Sequence, residues 1–163
     1  MKKAICPGSF DPVTRGHVDI IKRASKMFDC VIVAVMVNPS KTPSFTIEER
    51  VRFLKLATSE LNNIEIVSFD GLLAEYAKEK EAVAIVKGLR AMSDFEYEFQ
   101  MALANKKLNK NLETVFFTTS AENMYLSSSM IKQISRFGGD ISSFVPECIH
   151  KEIKDRLCER ECK

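Results

Sequence analysis

The chain contains no Gly-x-x-x-x-Gly-Lys-Ser/Thr and is therefore not a P-loop enzyme. No Gly-x-Gly-x-x-Gly follows its first apolar run, which argues against a dinucleotide cofactor. Net charge is scarce as well: a formal +2 is too small to imply a nucleic-acid or membrane partner, so any basic site must be local. No apolar stretch approaches the length of a transmembrane helix. Ahead of Pro7 stand only Lys2-Lys3 and Ala4-Ile5-Cys6, far short of the apolar core of a signal peptide, and the expected compartment is the cytoplasm. The five cysteines, Cys6, Cys30, Cys148, Cys158 and Cys162, are odd in number and form no Cys-x-x-Cys pair. Reduced thiols are the simpler reading, and neither a disulfide framework nor a structural zinc site, even one drawing on His150, is expected. There is no internal repeat, low-complexity tract or linker, so residues 1–163 are read as a single domain.

What is present is organised around the start of the chain. A short apolar run, Ala4-Ile5-Cys6, breaks at Pro7-Gly8 and passes through Ser9-Phe10-Asp11-Pro12-Val13-Thr14-Arg15-Gly16. It delivers His17 to the first turn of a helix expected over about 17–28. The first N–H groups of a helix lack intrahelical partners and sit at the positive end of the macrodipole, so an anion placed there meets donors already aimed at it. Gly8 and Gly16 allow close approach of the backbone, and Ser9 and His17 add side-chain donors.

Further along, positions 30–37 form a nearly continuous apolar, β-branched run, the mark of a strand buried on both faces of a parallel sheet. A loop with Lys41 between Pro39 and Pro43 leads to Thr46 and Glu49, spaced as a capping box, and a helix to about 58 with Ile47, Val51, Leu54 and Thr58 on one face. Asn62-Asn63 reads as a turn, 64–67 as a third strand, 72–80 as a short helix and 83–86 as a fourth strand ending at Lys87. Ser93 or Asp94 is expected to cap a helix reaching about 108, followed by a fifth strand at 114–117. Ser127 or Ser128 opens another helix that Gly138-Gly139 ends, and Pro146 suits the start of a last one marked by Ile149, Ile153 and Leu157. Alternating strands and helices predict an α/β, Rossmann-like fold: a five-stranded parallel sheet with helices on both faces.

In such a sheet ligands bind where loops gather at the carboxyl ends of the strands. Those loops bring Gly8, Ser9 and His17 after strand one, Lys41 after strand two, Lys87, Gly88 and Arg90 after strand four, and Ser127-Ser128-Ser129 after strand five. Taken singly, Lys41 reads as a solvated loop lysine, Lys87 and Arg90 as surface partners of Asp94 or Glu96, and the serines as a helix cap. Their coincidence on one rim points to a polyphosphate site. The rim list suggests no Ser-His-Asp or Cys-His arrangement, and hence no covalent nucleophile with its base.

These residues together resemble a known family. Pro7-Gly8-Ser9-Phe10-Asp11-Pro12, Thr14-Arg15-Gly16-His17, Lys41, Lys87-Gly88-Leu89-Arg90, Asp94-Phe95-Glu96-Tyr97-Glu98 and the three serines are similar, in order and spacing, to the bacterial phosphopantetheine adenylyltransferases of the HxGH nucleotidyltransferase superfamily. The match extends to about Pro146. The resemblance implies transfer of AMP from ATP to 4′-phosphopantetheine, Mg²⁺ accompanying ATP, a homohexamer, and feedback by coenzyme A. It implies that Ser9, Lys41 and His17 serve catalysis. By matching position, Ser9, Phe10, His17, Gly88, Leu89, Arg90 and Glu98 would contact ATP, as would the loop of Asn123, Met124, Tyr125, Leu126, Ser127, Ser128 and Ser129. Ser9, Lys41, Leu73 and Lys87 would line the phosphopantetheine site. Three positions depart from the family: Thr14 opens the HxGH motif, as is usual in this branch, so that catalysis rests on His17; Lys87 replaces a common arginine and loses its fork; Cys6 replaces a frequent aromatic. Because a phosphate monoester is already an adequate nucleophile, such an enzyme needs no strong base, and His17 is expected to act as a hydrogen-bond donor and electrostatic stabiliser.

Overall fold

Apolar, β-branched segments form the sheet: β1 (Lys3–Gly8), β2 (Cys30–Met36), β3 (Ile64–Phe69), β4 (Ala82–Leu89) and β5 (Glu113–Thr118). The computed structural model describes residues 1–37 and 42–158, the Ser93 side chain apart. All strand pairs are parallel, in the order β3-β2-β1-β4-β5. Because successive side chains point to opposite faces, Ala4, Cys6, Val31, Val33 and Val86 join one layer while Ile5, Ile32, Ala34 and Ile85 join the other. The first layer is covered by α1 (Arg15–Met27), α2 (Ile47–Ala57), α5 (Ser128–Arg136) and α6 (Glu147–Leu157) through Ile21, Phe53, Ile131 and Ile153. Over the second lies α3 (Leu73–Glu79), through Ala74 and Ala77, with α4 (Met92–Leu108) against it. This is the α/β Rossmann-like sheet with helices on both faces that the sequence predicts.

The chain leaves β1 toward β2 and β3 on one side, then crosses to β4 and β5 on the other. The carboxyl ends of β1 and β4 therefore flank the switch point, where an open α/β sheet leaves a crevice.

Several termini follow the sequence signals. Thr46 Oγ1 accepts from Glu49 N at 3.2 Å while Thr46 N donates to the Glu49 carboxylate at 2.8 Å. Ser127 caps α5 by accepting from Met130 N at 3.1 Å, and α5 gives way at Gly138, whose φ of 77° suits a residue without Cβ. Several boundaries differ, three of them beside the cleft. Helix α1 begins at Arg15, because the His17 side chain closes a capping box on Thr14. Strand β4 continues past Val86 to Leu89, because its ladder with β5 runs on through Lys87↔Phe116, Gly88↔Phe117 and Leu89↔Thr118. Helix α4 starts earlier than a cap at Ser93 or Asp94 would place it: Ala91 occupies the N-cap position with no side-chain bond, and the Asp94 carboxylate is drawn to Arg90. Among the described residues no helix is long and apolar enough to cross a membrane.

Candidate active site

At the head of α1, Thr14 Oγ1 accepts from His17 N at 3.2 Å, and Thr14 N donates to His17 Nδ1 at 3.0 Å. A backbone N–H can only donate, so Nδ1 is an acceptor and the ring proton resides on Nε2. The ring is further fixed by Phe10, edge-on at 5.1 Å between centroids. Burial, and secondarily the Arg90 charge, pushes the His17 pKa down from 6.5 to about 4. The side chain presented to the cleft is thus a neutral imidazole with an Nε2–H donor.

Phe10 adopts φ 48°, a left-handed conformation unusual for a residue with a side chain, and its ring is buried against Gly8. A Cβ on residue 8 would lie 2.9 Å from Phe10 Cζ, so a side chain there would force that ring to shift. Ser9, between them, is exposed, and its hydroxyl has no partner among the described residues.

Two cavities meet at this loop. The first, about 340 Å³, is lined by Ser9, Phe10, Thr14 and His17 from the β1 side, Lys87, Gly88 and Arg90 from β4 and its loop, and Asn123, Leu126 and the three serines from the β5 side. The second, about 480 Å³, opens toward β2 and β3 and has a largely apolar wall of Met36, Val37, Leu72, Leu73, Ile85 and Met101, with Tyr97, Glu98 and Asn105 among its polar members. Pro7, Gly8, Ser9 and Lys87 line both. The two pockets are halves of one cleft hinged on Ser9 and Lys87.

Each cation of the cleft has a carboxylate from α4. Lys87 Nζ lies 3.2 Å from Glu98. Arg90 Nε lies 3.1 Å from Asp94 Oδ2, and Arg90 Nη1 donates to Leu126 O at 2.9 Å, tying β4's loop to the serine loop. Among the serines, Ser127 Oγ is the α5 cap and Ser128 Oγ donates to Pro12 O at 2.8 Å. Ser129 lines the first cavity with a hydroxyl that has no partner among the described residues. Cys6 is buried beneath this cavity, and burial pushes its thiol up to about 12, against a smaller opposing effect of Lys87, so it remains a protonated, unreactive thiol.

Most of the residues singled out in the sequence converge here. Glu98 lines the second cavity rather than the first; Leu89, Met124 and Tyr125 line neither, and Met124 and Tyr125 are exposed on the loop ahead of the serines. Leu73 lies on the apolar wall. Lys41 lies outside the described residues. The sequence motifs do not mark Arg50, Lys132, Asn105 or Thr119, and they assign no role to Tyr97 or Asp11. Asp11 accepts from Ser44 N and Phe45 N, the latter at 2.9 Å, and pairs with Lys132, so it pins the segment entering α2 to the first loop. A signal did exist for Arg50: it falls three residues after Ile47 and four before Leu54, on the buried side of α2.

Fold and cleft together define a class, the nucleotidyltransferases: a cytidylyltransferase-like family profile matches residues 5–134, most of the chain. A solved structure described as a putative nicotinate-nucleotide adenylyltransferase from Vibrio parahaemolyticus shares the fold, with a TM-score of 0.67 and 21% identity over 97% of this chain and 99% of that one. Closer in sequence is the phosphopantetheine adenylyltransferase of Caldanaerobacter subterraneus, 56% identical over 96% of this chain and 98% of the relative. That of Clostridium novyi is 57% identical over the same shares, and that of Clostridium botulinum 53% identical over 99% of both. The chain belongs to the phosphopantetheine adenylyltransferase family.

Proposed function

We propose that this protein transfers AMP from ATP to 4′-phosphopantetheine, giving dephospho-coenzyme A and pyrophosphate, a step of coenzyme A biosynthesis. The observation that carries the reading is the two-part cleft. The cationic, hydroxyl-rich half around His17, Arg90 and Ser129 suits a nucleoside triphosphate, and the half with an apolar wall suits a slender acceptor whose phosphate reaches Ser9 and Lys87.

A phosphate oxygen of the acceptor attacks the α-phosphorus of ATP; the P–O bond to the β-phosphate breaks, and its electron pair leaves with pyrophosphate. No proton need be abstracted, so the protein's work is alignment and stabilisation of charge developing on the α-phosphate. His17 donates from Nε2, Ser9 from its hydroxyl, and Lys87 offsets the repulsion of two polyanions at the junction. Lys87 and Arg90 exchange their carboxylate partners, wholly or in part, for phosphate oxygens. Lys41 is assigned to the acceptor phosphate and the transfer step on the family resemblance, and Lys41→Ala should impair turnover with either substrate saturating.

Mg²⁺ is proposed to arrive on the ATP phosphates. Among the described residues no cluster of three acidic, histidine or cysteine side chains is fit to hold a resident ion. A homohexamer is proposed on the same resemblance. In support, α4 exposes Phe95, Phe99 and Leu103 at i, i+4 spacing on one face, a surface that neighbouring copies would cover. Feedback by coenzyme A is proposed because that molecule carries both an adenylate and a pantetheine arm, one for each half of the cleft. The proposed compartment is the cytoplasm, where reduced cysteines persist.

The test is pyrophosphate release from ATP and Mg²⁺ with alternative acceptors. Release dependent on 4′-phosphopantetheine and absent with nicotinamide mononucleotide is expected; the reverse preference, or no release with either, would overturn the assignment.

A further inference from the structure

Behind the first loop lies a third cavity, about 610 Å³, distinct from the two halves of the cleft. Ser9 lines this one too, and from its far side comes Arg50. Arg50 is only 4% exposed, on the face of α2 that also buries Phe53 and Leu54. Burying a guanidinium is unfavourable unless it is paired and hydrogen-bonded. Yet among the described residues no carboxylate lies within ion-pairing distance of it, and its bonds go to main-chain carbonyls: Nη1 to Ser9 O at 2.9 Å and Nε to Thr46 O at 3.3 Å. The charged groups nearby in the same cavity are Asp11 and Lys132, which pair with each other, and Glu48 at the rim. A costly charge is thus held against one carbonyl of the reacting loop.

That carbonyl belongs to the peptide joining Ser9 to Phe10, and Phe10 is the residue held at φ 48°. Backbone of this kind persists only where surrounding groups over-determine it. In a trans peptide the N–H points opposite the C=O, so drawing Ser9 O back toward Arg50 turns the Phe10 N–H forward, away from α2. We propose that Arg50 is a positioning residue for the transfer step: by fixing the Ser9 carbonyl from behind, it holds the Ser9 hydroxyl and the Phe10 N–H at the junction where the two phosphates meet. The inference rests on the adenylyl-transfer reading.

The test is steady-state kinetics of Arg50→Ala and Arg50→Lys in the full chain, with ATP and 4′-phosphopantetheine varied separately and guanidinium ion added at low concentration. Misaligning a reacting group should lower kcat of Arg50→Ala by about 10²-fold while both KM values stay within about threefold. Arg50→Lys, which keeps charge but loses the fork, should fall in between. Added guanidinium should restore part of the Arg50→Ala turnover and none of that lost in His17→Ala, a response that a merely structural role would not give. A folded Arg50→Ala with kcat near wild type, or, where that variant does not fold, an Arg50→Lys with unchanged kcat, overturns the inference alone. Wild-type protein without turnover on 4′-phosphopantetheine overturns the adenylyl-transfer reading and this inference with it.

Discussion

The backbone N–H of Thr14 donates to His17 Nδ1 at 3.0 Å, and this one bond decides which ring nitrogen faces the cleft with a proton. Labour is divided between the two residues: Thr14 caps the helix and orients the ring, and His17 presents its Nε2–H to the cleft.

A titration follows from that geometry. The His17 pKa is lowered from 6.5 to about 4, by burial first and by Arg90 second. The unfolded chain binds this proton as pH falls below 6.5, whereas the folded chain does not until about 4. The His17 contribution to stability is therefore complete above 6.5 and is progressively lost as pH falls toward 4. With only two histidines in the chain, ¹⁵N–¹H NMR can assign His17 by comparison with a His150 variant. An Nε2–H neutral ring through pH 6 is expected; a midpoint near 6.5 would refute the assigned environment.

Thr14→Ala removes the Oγ1 cap but leaves the main-chain donor. Loss of such a cap costs about 1 kcal/mol, equivalent to roughly 2–4 °C in Tm for a chain of this size. Thermal denaturation should show that drop for alanine and little for Thr14→Ser, and the fall in kcat for alanine should be smaller than for His17→Ala.

Gly8→Ala tests the floor under Phe10. The new methyl would come within 2.9 Å of the ring, which must tilt and disturb His17 beside it. Overpacking of this kind costs about 1–3 kcal/mol. A folded variant with unchanged melting temperature and turnover would show that the ring is not wedged there.

Much of the fold was legible because its signals are local. The apolar run at 30–37, the Thr46/Glu49 capping box and the Ser127 cap each act within a few residues, and each stands where the sequence put it. Asp94 illustrates the opposite case: its place at the head of α4 is a local capping signal, but a guanidinium four residues earlier competes for the carboxylate. The extension of β4 through Lys87 and Gly88 depends on β5, and the roles of Asp11 and Arg50 depend on partners more than thirty residues away, which no local pattern encodes. For the site, the rim rule located Ser9, His17, Lys87 and Arg90 together, while the apolar wall of the second cavity emerged only when β2, β3 and α4 were placed side by side.

Under the proposed function, Lys87 binds the acceptor phosphate. Its replacement by alanine removes a charge-assisted hydrogen bond worth about 1.5–3 kcal/mol, so the KM for 4′-phosphopantetheine should rise roughly 10–100-fold, with a smaller effect on ATP. Lys87→Arg should retain activity, and its fork should bind the acceptor phosphate at least as well. Equal rises for both substrates would assign Lys87 to the triphosphate instead.

The most direct measurement is the kinetics of His17→Ala with both substrates. A donor that acts on charge developing at the α-phosphate should be worth about 10²–10³-fold in kcat, with KM values little changed. Turnover preserved while the KM for ATP rises would contradict the account, leaving His17 a ground-state contact rather than the group that stabilises transfer.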